Sequence, residues 1–142
     1  KNPLIKNMEE QMSYSVVGEN SAIARSYLNN KLGNENEAGA FVLLLEIEKK
    51  TKAIVREKDA AVSKLEINYN IKYELLESKS GCIIAEKEIS TKSTYTSKSS
   101  GYSFGTDLSK EDVSNKNIES NIEEFFSYLI SNYISLSCKN EN

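Results

Sequence analysis

Histidine and tryptophan are absent from the chain, proline occurs once, and arginine and cysteine twice each. Without histidine the commonest general base, the commonest neutral metal ligand and every Ser-His or Cys-His nucleophile pair are missing. The six glycines form neither GxGxxG nor GxxxxGK, and no GxSxG occurs, so nucleotide binding and serine hydrolysis lack a motif and no cofactor is expected. The longest unbroken apolar run, Ala40 to Leu45, has six residues, against about 20 for a helix that spans a bilayer. Cys82 and Cys138 are too far apart for a CxxC site, and no mixed Cys/His zinc set can form. In an exported chain the two could close a disulfide between the start of a strand and the chain's end; otherwise residue 82 is a small buried side chain and residue 138 a thiol on a frayed end. Eighteen Lys+Arg against 21 Asp+Glu give a net charge of −3, which argues against a general nucleic-acid binder.

What is present fits one soluble domain: 142 residues, 39% hydrophobic and 27% charged, enough for one ordinary core. Residues 1–7 and 137–142 are expected to be flexible ends. Lys1 to Asn7 carries neither a signal-peptide core nor an amphipathic targeting helix.

Along the chain, Met12, Tyr14 and Val16 alternate within Met8 to Val17, which predicts a short strand ending at Gly18. Asn20-Ser21 is a helix-start signal. Ile23, Tyr27, Leu28 and Leu32 follow at helical spacing, with Gly33 where a C-terminal cap belongs. Phe41, Leu43, Leu45 and Ile47 mark a half-buried strand, continued across a bulge or bend by Ala53 to Val55. The cleanest period-two signal is Leu65, Ile67, Tyr69, Ile71, Tyr73 and Leu75, with polar residues between them. Glu77 to Gly81 has hairpin-turn chemistry. Cys82 to Tyr95 reads as a strand that turns Ser/Thr-rich toward solvent or an edge, and Thr94 to Thr106 as an ordered but mobile loop. Ser109 with Asp112 is a variant capping box, and Ile118, Ile122, Phe125, Phe126, Leu129, Tyr133 and Ile134 trace a long amphipathic helix. The expected fold is a two-layer α+β sandwich of order β-α-β-β-β-α: a mostly antiparallel sheet of about four strands, covered on one face by two helices.

Candidate chemistry is sparse. The carboxylate pairs Glu9/Glu10, Glu86/Glu88 and Glu123/Glu124 read as solvated surface rather than a catalytic dyad. Tyr69 and Tyr73 share the alternating apolar face, so packing explains them better than a stacking platform. Lys49, Lys50, Lys52, Arg56 and Lys58 concentrate five cations over ten residues at the bend between two strands, although flanking Glu46, Glu48, Glu57 and Asp59 leave the segment at only +1. An anionic headgroup or phosphate could dock there; a solvated hairpin tip is the alternative. Tyr95, Tyr102 and Phe104, in a Ser/Gly background, are candidates for contact with a partner protein.

In several segments the chain resembles the lipopolysaccharide-assembly lipoprotein family (LptE-like), in particular its short alphaproteobacterial branch. Asn20 to Leu32 looks like the family's first helix and Leu65 to Leu76 like its YxLxxxYxL strand. Glu77 to Ile83 looks like the following glycine-bearing turn, Ser90 to Tyr95 like a Ser-rich stretch leading to an aromatic, and Lys110 to Leu136 like the long last helix. The resemblance spans Met8 to Leu136 and lies in pattern more than in any one motif. It implies a non-catalytic, single-domain lipoprotein of the outer membrane, facing the periplasm and held by a lipidated cysteine upstream of Lys1. Its implied partner is the lipopolysaccharide-translocating β-barrel LptD, with lipopolysaccharide or another anionic lipid as a further ligand. An auxiliary lipoprotein of a lipid-trafficking ABC transporter shares this strand rhythm, and a secreted interaction module acting through Tyr95 to Phe104 is the alternative from another class.

Overall fold

The computed structural model describes residues 8–33, 39–56, 62–98 and 103–138. Four strands, β1 (Met12–Gly18), β2 (Phe41–Arg56), β3 (Val62–Glu77) and β4 (Ile83–Lys98), lie in sequence order in one sheet. Helix α1 (Ser21–Leu32) connects β1 to β2, α2 (Ser103–Ser131) follows β4, and a 3-10 turn (Tyr133–Ser135) closes the described chain. β2, β3 and β4 form an antiparallel meander. β1 pairs parallel with β2, Tyr14 opposite Leu43 and Val16 opposite Leu45; a parallel neighbour needs a crossover, and α1 supplies it.

The core follows from the alternation. Tyr14, Val16, Leu43, Leu45, Ile67, Tyr69, Ile71, Tyr73 and Leu75 are all buried on one face of the sheet. Ala24 and Leu28 of α1, with Ile118, Ile122, Phe125, Phe126 and Leu129 of α2, cover that face. The Tyr73 and Phe125 rings stack with centroids 4.3 Å apart, which ties α2 to the middle of β3. The expected two-layer α+β fold is therefore present, with its helices on one side.

Local chemistry sets the ends of the elements. Gly18 has φ +105°, and a Cβ there would fall 2.2 Å from the Ile47 carbonyl oxygen. Only glycine permits this close approach of β1 to β2. Gly33 likewise has positive φ and donates its N–H to the Asn29 carbonyl at 2.9 Å, ending α1. Asn20 stands at the N-cap of α1, yet its side chain makes no cap bond; its Oδ1 accepts the Tyr69 hydroxyl at 2.6 Å instead.

Four boundaries differ from the sequence reading. Met8 to Glu10 form a helical turn, so β1 begins only at Met12. β2 runs to Arg56 across the bulge expected at Ala53 to Val55, but Lys49, Lys50, Lys52 and Arg56 belong to this one strand and do not lie at a bend between strands. β4 extends to Lys98 and α2 begins at Ser103, which removes most of the loop expected from Thr94 to Thr106. Ser109 is consequently inside α2, not at its cap, and the helix ends at Ser131, before Leu136.

Cys82 and Cys138 form a disulfide with Cα atoms 5.6 Å apart. Of the two readings open for the cysteines, the bridge is the one the fold contains, and it fastens the segment after α2 to the turn before β4. Residues 1–7 and 139–142 of the expected flexible ends lie outside the described residues.

Candidate functional site: the uncovered face of the sheet

Both helices occupy one side of the sheet, so every second strand residue faces outward with no element above it among the described residues. The register puts these residues in rows. Ser15, Leu44, Glu74 and Glu86 form one row, and Val17, Glu46, Lys72 and Glu88 the next. Then come Glu48, Asn70 and Ser90; Lys50, Asn68 and Lys92; and Lys52, Glu66 and Thr94; Lys64 lies beyond. The first three rows hold five glutamates against Lys72, while the remainder hold Lys50, Lys52, Lys64 and Lys92 against Glu66. The face is acidic toward one end and basic toward the other.

A shallow concavity of about 670 Å³ opens over the acidic rows, with Val17 and Leu44 among Glu46, Glu74, Glu86 and Glu88. Val17 is 56% exposed, the highest of any large apolar side chain among the described residues. Glu74 and Glu86 stand directly opposite each other across β3 and β4, an arrangement of like charges that works against sheet stability. Asn70 is held between strands: its Nδ2 donates to the Glu88 carboxylate, and its Oδ1 accepts the Ser90 hydroxyl at 2.7 Å. At the basic end Lys52 lies 4.0 Å from Glu66 and Lys50 3.9 Å from Glu48. Such exposed pairs contribute little to stability.

The period of two divides the cation cluster expected from sequence. Lys50 and Lys52 point to the uncovered face. Lys49 points to the helix side, its Nζ 5.9 Å from the centroid of the Tyr69 ring. The Arg56 side chain and Lys58 lie outside the described residues. Lys64 and Lys92 join Lys50 and Lys52 through strand pairing, which a reading along the chain does not reveal. Of the aromatic candidates, Tyr95 is buried on the helix side of β4, and Phe104 belongs to α2; the Phe104 side chain and Tyr102 lie outside the described residues. Burial removes Tyr95 from the surface as a contact residue.

Beneath the sheet, a polar seam fixes α2 and thereby the shape of the open face. Asn121 is fully buried. Its Oδ1 accepts the Tyr73 hydroxyl at 2.6 Å, and its Nδ2 donates to the Ile89 carbonyl at 3.0 Å and to Thr91 Oγ1 at 2.9 Å. One turn earlier, Asn117 accepts the Thr91 hydroxyl at 2.6 Å and donates to Ser93 Oγ at 2.8 Å. The Ser/Thr-rich end of β4 is thus an edge strand whose covered hydroxyls meet amides from α2. Burial and the Glu124 carboxylate raise the Tyr73 pKa well above the usual phenol value. Tyr27 is raised by burial, by its hydrogen bond to Glu123 and by the charges of Glu123 and Glu119. Lys31 completes that helix-helix contact, 3.2 Å from Glu123 and 4.7 Å from the Phe126 ring centroid. These phenols stay protonated as fixed donors. Among the described residues no group of three or more potential ligands could hold a metal ion, and no helix is long and apolar enough to cross a membrane.

No family model matches the chain, and no curated protein matches it significantly. Solved structures do. A candidate lipoprotein from Caulobacter crescentus superposes with a TM-score of 0.68 at 13% identity, covering 92% of this chain and 96% of its own. Rare lipoprotein B from Shewanella oneidensis gives 0.64 at 14% identity over 88% and 97% of the two chains. A minor lipoprotein from Acinetobacter baumannii gives 0.57 at 11% over 89% and 96%. The fold is LptE-like. At these identities the likeness concerns the fold alone, and it extends over nearly the full length of each protein.

Proposed function

We propose that this chain is the periplasmic domain of an outer-membrane lipoprotein of the LptE kind, which binds the lipopolysaccharide-translocating β-barrel LptD without catalysing a reaction. The observation that carries the reading is the end-to-end likeness to rare lipoprotein B, the LptE homologue. The sequence agrees, because a chain with no histidine and no nucleotide or nucleophile motif is suited to binding more than to turnover. The helices are committed to the core, so the uncovered sheet face is the broad surface open to a barrel partner. Val17 and Leu44 supply apolar contact, and the segregated charge supplies orientation. Lipopolysaccharide is the ligand this reading adds, through its phosphates.

The test is purification of the full-length lipoprotein, with its lipid anchor, from detergent-extracted membranes. The expected result is a large outer-membrane β-barrel recovered in stoichiometric amount. Recovery of the lipoprotein alone, or with an inner-membrane ABC transporter, contradicts the reading.

A further inference from the structure

The basic end of the uncovered face carries a feature that barrel binding does not require. In β2 the register passes from Ala53 opposite Leu65 to Val55 opposite Lys64, which leaves Ile54 without a partner on β3. An unpaired bulge residue is turned out of the ladder, and Ile54 is 41% exposed. Lys50, Lys52, Lys64 and Lys92, all exposed, stand on the uncovered face in the rows beside this bulge. Glu66 is the one carboxylate in these rows, and Lys52 stands 4.0 Å from it. A single exposed isoleucine is ordinary on a protein surface. An exposed isoleucine at a bulge, next to rows that hold four lysines, at the cationic pole of a face whose other pole is anionic, is the combination that an anionic lipid surface attracts.

We propose that this end of the sheet rests on an anionic bilayer, with Ile54 entering the boundary between headgroups and acyl chains and the four lysines facing lipid phosphates. The glutamate-rich end is repelled by the same surface, so the charge gradient orients the domain with β2 and β3 pointing toward the membrane. The proposal stands on the geometry of this face and does not depend on the identity of a barrel partner.

The chain has no tryptophan, so Ile54→Trp makes a single-site fluorescent reporter. Mixed with vesicles of 70% phosphatidylcholine and 30% phosphatidylglycerol, the variant should show a blue-shifted emission that is quenched by brominated acyl chains. Ile130→Trp, an exposed site on α2 in the opposite layer, should show neither. Lys50→Ala combined with Lys52→Ala, at side chains 76% and 70% exposed, should lower partitioning roughly 25-fold, about fivefold for each lysine near a charged surface. Added salt should weaken the wild-type binding. The absence of a blue shift at residue 54, an equal shift at residue 130, or equal binding to pure phosphatidylcholine vesicles overturns the proposal.

Discussion

Replacing Asn121 with leucine tests whether the polar seam holds α2 on the sheet. The asparagine side chain is fully buried and accepts the Tyr73 hydroxyl at 2.6 Å while donating to Ile89 and Thr91. Leucine keeps the volume but strands the Tyr73 hydroxyl in a dry core, a loss of about 1–3 kcal/mol. The lost donations, to Ile89, to Thr91 and more weakly to the Tyr69 carbonyl at 3.4 Å, add about 1 kcal/mol; the two carbonyls belong to strands and Thr91 keeps Asn117 as a partner. Asn121→Leu should therefore destabilise by about 3 kcal/mol, lowering Tm by roughly 10 °C for a domain of this size. Tyr73→Phe alone leaves the Asn121 oxygen unpaired and should cost about 1–2 kcal/mol. The double variant should lose about 1–2 kcal/mol less than the sum of the two, because removing the second partner strands nothing new. Urea unfolding gives all four values, and unchanged m-values would show that the folded and unfolded states remain comparable. Additivity within about 0.5 kcal/mol, or an Asn121→Leu protein as stable as the wild type, would refute the argument.

Three further outcomes are expected. Replacing Cys82 and Cys138 together by alanine opens a loop of sequence separation 56 and should remove about 4 kcal/mol, read by urea unfolding with and without reductant; only the wild type should respond to the reductant. Gly18→Ala, which sets a methyl group against the Ile47 backbone at positive φ, should cost about 2–3 kcal/mol, and a loss under 0.5 kcal/mol would show that β1 can shift. The phenol pKa values of Tyr27, Tyr69 and Tyr73 are all raised above the ordinary tyrosine value of about 10. A raised folded pKa gives stability that is complete below the unfolded value and lost as pH climbs above it. The absorbance change of tyrosine ionisation should thus lag for three residues and finish only as the chain unfolds in alkali. A single transition for all tyrosines near pH 10, with the fold intact, would contradict this.

The sheet was readable in the sequence where one physical condition held along a whole segment. Leu65 to Leu75 alternates without a break because one side of β3 meets helices and the other, among the described residues, is uncovered. Gly33 marked the end of α1 because the chain needs positive φ there. Two kinds of information were hidden. Asn117 and Asn121 look like the solvent side of an amphipathic helix, and only the packed structure shows that they meet Thr91 and Ser93. A signal did exist: Thr91 and Ser93 share the parity of Ile89 and Tyr95, which places them on the covered face. Register was the other. Lys64 and Lys92 are distant in sequence from Lys50 and Lys52, and only strand pairing assembles them. Alternation alone, applied to Lys49 and Lys50, would already have divided the linear cluster. The helix start at Ser103 was obscured by Gly105 and by the apparent cap at Ser109, two local preferences that the longer helix overrides.

The most direct test of the account is site-specific photocrosslinking in the native membrane. Photoreactive residues at Ser15, Glu74 and Glu88 on the uncovered face would be compared with others at Glu124 and Ser127 on the outer side of α2. The account predicts crosslinks from the first set to an outer-membrane β-barrel and none from the second. Crosslinks from α2 alone, or none from the sheet face, would contradict it.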